Sequence, residues 1–241
     1  MLKRLVVILV VGLLLGIGGT AQAQAGDKCF QKGGAWDAAT GRCTMHAGVE
    51  IDINYPLDLA DGGLMESTID AYLLDLRTGF LSDFGDYGLV DSAGQPWTLN
   101  VDDETFAFSP EVLSLKFTVA TYTGGAHGNI VFKTFVFDLA ENRVLELADL
   151  FQPGVDPLAT IAPLVHDLAL AQMSDMSDPN WIATGTAPLP ENYQSFVLTS
   201  DALVFFFPPY QLAAYAAGPQ TISLPLSQIA GVLAPAYIPA S

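Results

Sequence analysis

The sequence predicts an α+β fold, a mainly antiparallel sheet with two principal helices packed on it. Three observations carry this. Val112 to Thr121 and Ile130 to Leu139 are strand-like runs joined by Tyr122-Thr123-Gly124-Gly125-Ala126-His127-Gly128-Asn129, a glycine-cornered hairpin turn. Leu64 to Phe84 and Leu158 to Met176 carry apolar residues near helical spacing. Ala202 to Phe207 is an apolar run closed by Pro208-Pro209, which reads as a strand buried on both faces.

In chain order, Met1 to Ala25 has the form of a secretory signal peptide. A basic start precedes an apolar centre from Leu5 to Ile17, and small residues complete an A-x-A cleavage site at Ala23 or Ala25. The apolar centre is shorter than the roughly 20 residues of a membrane span, so no span is expected after cleavage. The expected location is periplasmic or secreted. Residues 26–47 hold both cysteines, Cys29 and Cys43. In an exported chain they are expected to form a disulfide that staples an N-terminal hairpin.

Residues 48–241 form the main module, with halves at about 48–110 and 111–233. Val49 to Tyr55 alternates apolar and polar residues and ends at Pro56, a half-buried strand. After the Leu64 helix, Asp83 to Pro96 reads as a loop and Trp97 to Val101 as a short strand. Past the hairpin, Val144 to Phe151 reads as a short strand running into a helical turn. Ser174 to Glu191 is a polar loop carrying Trp181. Phe196 to Thr199 begins the last strands, and Thr221 to Leu226 is an edge strand because Pro225 lacks a ladder donor. Ser227 to Leu233 reads as a short final helix, followed by a frayed tail.

The formal charge is −17, from 26 acidic and 9 basic residues. That argues against nucleic acid, whose phosphates demand cations, and favours steering of a basic partner. No P-loop, dinucleotide fingerprint, G-x-S-x-G or S-x-x-K motif appears around Ser195, Ser200, Ser223 or Ser227, so no cofactor is expected. Asp102-Asp103-Glu104 and the Asp83, Asp86, Asp91 set are acidic but lack an EF-hand pattern, and no metal is expected there. His127, set in the glycine turn, is the most suggestive polar residue; His46 and His166 show no ligand spacing to it. Tyr210, Tyr215 and Trp181 are candidates for an exposed aromatic surface, with Phe207 assigned to the core.

Several separated pieces carry a resemblance. Tyr122 to Asn129, then Lys133-Thr134-Phe135-Val136-Phe137-Asp138-Leu139, then Leu147-Ala148-Asp149-Leu150-Phe151, and finally Leu203 to Gly218 resemble a bacterial extracytoplasmic module over roughly residues 48–233. That module occurs in the lysozyme-binding ectodomain of an anti-sigma factor. It also occurs as the non-catalytic region before a peptidoglycan deacetylase domain. The resemblance implies a cell-envelope binding role and leaves the partner open; together with the acidic charge it points to a lysozyme-like protein or cell-wall glycan, with His127, Tyr210, Tyr215 and Trp181, singled out above, as the candidate binding residues. The competing expectations are a wall hydrolase using His127 with a carboxylate, and an accessory structural envelope protein.

Overall fold

A computed structural model describes residues 35–44, 48–56, 63–87 and 95–239. The signal-peptide assignment, Cys29, His46 and Asp91 lie outside the described residues, and with Cys29 so does the pairing expected with Cys43. Within the segment expected to be stapled, an antiparallel hairpin is present as β1 (Ala35–Asp37) and β2 (Arg42–Thr44), with Trp36 opposite Cys43.

The main sheet has five strands: β3 (Val49–Ile53), β4 (Trp97–Ala107), β5 (Val112–Tyr122), β6 (Asn129–Asp138) and β7 (Arg143–Leu145), in that spatial order. The glycine-cornered hairpin β5–β6 sits at its middle, as its two long apolar runs require. The sheet is mixed, however: β3 pairs parallel to β4, while the other pairings are antiparallel. Helix α1 (Leu64–Tyr87) is the crossover that makes the parallel pair possible. Its buried residues Met65, Ile69, Leu73 and Phe80 pack on Leu99, Val101, Phe117, Val119 and Phe137 of the sheet. Burying each such side chain contributes roughly 1.5–3 kcal/mol before entropy is counted.

The second layer holds β8 (Phe196–Leu198), β9 (Ala202–Phe207) and β10 (Gln220–Pro225), with β9 central and β10 at an edge. Every residue of β9 is buried. Leu203, Phe205 and Phe207 face a core shared with helix α2 (Pro157–Met173), which offers Ile161, Val165, Ala169 and Met173 at four-residue intervals. Ala202, Val204 and Phe206 face Phe106 and Phe132 of the main sheet. Strand β8 lies across the main sheet, and the Thr134 hydroxyl accepts the Phe196 amide at 3.0 Å.

Four further expectations are corrected. A third helix, α3 (Pro179–Gly185), stands in the stretch read as loop; Asp178 caps it through Asn180 N–H and Pro179 occupies its first turn. Strand β4 runs unbroken through Asp102-Asp103-Glu104, because long pairing with β5 outweighs the weak strand preference of acidic residues. The final helix is only a 3-10 turn, Leu226–Gln228. The tail is anchored rather than frayed: Tyr237 is buried, and its hydroxyl donates to Asp138 Oδ2 at 3.4 Å.

Candidate functional site

The β5–β6 turn reverses through left-handed backbone at Gly124 (φ 100°) and Gly125 (φ 96°). Gly128 closes it against the Thr121 carbonyl, where an added Cβ would stand only 2.8 Å from the oxygen. This geometry pushes His127 into solvent. Its Nδ1 lies 2.8 Å from the Gly128 carbonyl, which can only accept, so Nδ1 carries the hydrogen. In the neutral ring Nε2 is then the acceptor, and the Tyr210 hydroxyl donates to it at 3.2 Å. Tyr215 stacks on the imidazole with centroids 3.8 Å apart and planes 19° apart, and its own hydroxyl donates to the Gly128 carbonyl at 3.0 Å.

Tyr210 is 52% exposed and holds φ at 73°, a conformation that costs a side-chain-bearing residue of order 1–3 kcal/mol. Three neighbours keep it there. Trp181 of α3 donates its indole N–H to the Tyr210 carbonyl at 2.8 Å. Gln211 Nε2 donates to the carbonyls of Gly185 and Asn192, both at 3.1 Å. Gly185 ends α3 so close to Gln211 that a Cβ would meet its carbonyl oxygen at 2.1 Å.

The four residues singled out from sequence, His127, Tyr210, Tyr215 and Trp181, therefore share one surface, although the turn and the Tyr210 loop are 83 residues apart. What sequence reasoning missed is the brace of Gly185, Asn192 and Gln211 behind Tyr210. The Asp178-Pro179 pair, a helix-start signal, could have exposed its helix.

Chemically the patch offers stacked ring faces, hydroxyls and one imidazole acceptor at the surface. The hydrogen-bond partners of the His127 ring among the described residues are the Gly128 carbonyl and the Tyr210 hydroxyl, so the carboxylate expected beside it for hydrolysis is not among them. No group of three or more His, Cys, Asp or Glu placed to hold a metal occurs among the described residues. Asp102, Asp103 and Glu104 are strung along β4, and Glu104 is committed to Lys116. His166 is engaged elsewhere, 3.0 Å from Thr186 Oγ1. No described helix is long and apolar enough to cross a membrane.

Residues 46–130 match the family described as Deacetylase PdaC, and residues 148–227 match the one described as Protein of unknown function (DUF3298). The chain is 30% identical over 140 residues to a Bacillus subtilis protein named peptidoglycan-N-acetylmuramic acid deacetylase PdaC. That match covers 58% of this chain but only 30% of the deacetylase. A Mycobacterium tuberculosis protein named as an esterase is 27% identical over 217 residues, covering 88% of this chain and 91% of its own. The crystal structure of a DUF3298 family protein from Pseudomonas aeruginosa PAO1 superposes with a TM-score of 0.61 at 19% identity, over 87% of this chain and 93% of that one. The chain thus carries, in order, one segment similar to Deacetylase PdaC and one similar to the DUF3298 proteins.

Proposed function

We propose that this protein is an exported, non-catalytic cell-envelope module that recognises a lysozyme-like protein or cell-wall glycan through the His127–Tyr210–Tyr215–Trp181 surface. The observation that carries the reading is Tyr210 itself. Its backbone is strained, yet more than half of its surface stays in solvent, so burial does not repay the strain. A recognition role accounts for keeping it. Exposed tyrosine and tryptophan rings supply contact area at low entropic cost, and a formal charge of −17 would speed encounter with a basic protein. The relative named for deacetylating peptidoglycan supports a wall setting.

The test is co-sedimentation with purified peptidoglycan and capture by immobilised lysozyme, each at low and high salt, with wild type and Tyr210→Ala. Retention by either ligand that falls at least tenfold in the variant is the expected result. Salt sensitivity would assign the protein ligand, and insensitivity the glycan. Wild type that passes both columns unretained sinks the reading.

A hydrolase is the second reading, favoured by the esterase-named relative and by the Tyr210 hydroxyl directed at His127 Nε2. Ester or wall hydrolysis by the wild type that disappears in His127→Ala would establish it.

A further inference from the structure

Strand β3 closes the main sheet on one side. It pairs with β4 alone, and no described strand lies beyond it. In this parallel ladder the Trp97 amide donates to the Gly48 carbonyl at 3.0 Å, and the Asn54 amide donates to the Val101 carbonyl at 2.8 Å. The even-numbered residues of β3 therefore turn their backbone groups toward β4. The odd-numbered ones, Val49, Ile51 and Ile53, turn theirs outward, where no described backbone group meets them.

The two faces of this strand differ in chemistry. Val49, Ile51 and Ile53 pack their side chains into the core beneath α1, whereas Glu50 and Asp52 stand exposed on the opposite face. Neither carboxylate makes an ion pair among the described residues. On the α1 side the edge opens into a cleft of about 400 Å3, lined by Ile53, Tyr55, Asp70, Leu73, Leu74 and Arg77. Its floor is apolar, and Leu74 is 63% exposed. Asp70 and Arg77 together leave its rim with no net charge.

Glu50 and Asp52 decide what can dock here. A second copy laid antiparallel about Ile51 would set Glu50 of each copy opposite Asp52 of the other, and like charges directly opposite are destabilising. Charges on an edge strand guard against such self-pairing. The same two carboxylates favour a guest strand with cations at those positions. We infer that β3 accepts an extended peptide segment in which apolar and basic residues alternate, added antiparallel as a sixth strand. The apolar residues of the guest exchange backbone hydrogen bonds with Val49, Ile51 and Ile53, and their side chains rest on Ile53, Leu73 and Leu74. The basic residues stand opposite Glu50 and Asp52. Main-chain pairing supplies affinity, and the alternation supplies specificity. β4 lies between this edge and the hairpin that carries His127, so the inference stands or falls independently of the aromatic surface.

The experiment titrates the full chain, 15N-labelled, with the capped pentapeptide Leu-Lys-Leu-Lys-Leu. Three controls accompany it: the same residues reordered as Leu-Leu-Leu-Lys-Lys, the original peptide N-methylated at its leucines, and the double variant Glu50→Lys, Asp52→Lys. Saturating amide shifts centred on Val49, Ile51 and Ile53 are expected, with Kd raised ~tenfold or more by each control and unchanged in Tyr210→Ala. Glu50 and Asp52 are exposed, so their replacement leaves the fold intact, and the two peptide controls decide the matter without it. The inference is overturned by absent or non-saturating shifts, by shifts located elsewhere, or by any control binding as tightly as the native pair. It is also overturned if the same amides shift with protein concentration alone, which would make a second copy the occupant.

Discussion

The hydroxyl of Ser114 holds both backbone groups of Leu198, accepting its amide at 3.0 Å and donating to its carbonyl at 3.3 Å. Both residues are fully buried, and they sit in different sheets 84 residues apart. A serine on an interior strand thereby replaces the ladder partner that edge strand β8 lacks. Ser114→Ala removes both bonds and leaves a buried N–H and C=O unpaired, at a cost of about 2 kcal/mol. Urea unfolding reads this as a lower midpoint with an unchanged slope; a midpoint within error of wild type would refute it.

This contact also marks where the sequence stops being legible. The periodicity of Met65, Ile69 and Leu73 and the alternation of Val49, Ile51 and Ile53 depend on nearest neighbours, so they showed helix and strand directly. The direction of β3 did not show, because alternation is identical in parallel and antiparallel ladders. The length of β4 does not show either, because acidic residues such as Asp102, Asp103 and Glu104 have weak strand preference, whereas cross-strand pairing of Glu104 with Lys116 keeps them in the sheet. The aromatic residues of the surface patch were recognisable one at a time, from their glycine and proline neighbours. Their meeting across 83 residues depends on how the two sheets stack.

Lys116 is only 7% exposed, ion-paired with Glu104, with its ammonium 4.7 Å from the Phe206 ring centroid and 5.7 Å from that of Phe132. Its stem packs between the layers while its charge relies on one carboxylate that is mostly in solvent. Lys116→Met keeps the stem and removes the desolvated charge, so it is expected to be neutral or mildly stabilising. Glu104→Gln leaves the ammonium without its partner and is expected to cost roughly 1 kcal/mol, limited by solvent screening. Thermal melts of the two variants should therefore move apart. If Lys116→Met proves the more damaging, the ion pair is a net stabiliser.

Burial raises the phenol of Tyr72 to about 12 and that of Tyr193 also upward. Tyr193 further donates its hydroxyl to the Thr186 carbonyl at 2.6 Å. An unfolded tyrosine ionises near 10. With folded values above unfolded ones, the native state holds the extra protons. Stability is then complete below about pH 10 and falls as pH rises toward 12. Denaturation midpoints measured across that window should drop, with the phenolate absorbance of Tyr72 and Tyr193 among that appearing late. Tyr72→Phe should flatten the slope, and an identical slope in that variant would show that another group drives the loss.

The strain at Tyr210 gives the sharpest separation of stability from recognition. Glycine adopts φ near 73° without penalty, whereas alanine keeps the same steric conflict. Tyr210→Gly is therefore expected to gain about 1 kcal/mol over Tyr210→Ala. Both variants lose the hydroxyl bonded to His127 and the ring beside Tyr215, whose centroid lies 5.6 Å away. If the tyrosine is kept for recognition, the glycine variant should be the more stable of the two and still fail to capture the partner. The pair is read by unfolding free energy alongside retention on peptidoglycan and lysozyme. Equal stabilities would show that the backbone carries no strain to relieve. Retained capture by the glycine variant would move the recognition surface away from Tyr210.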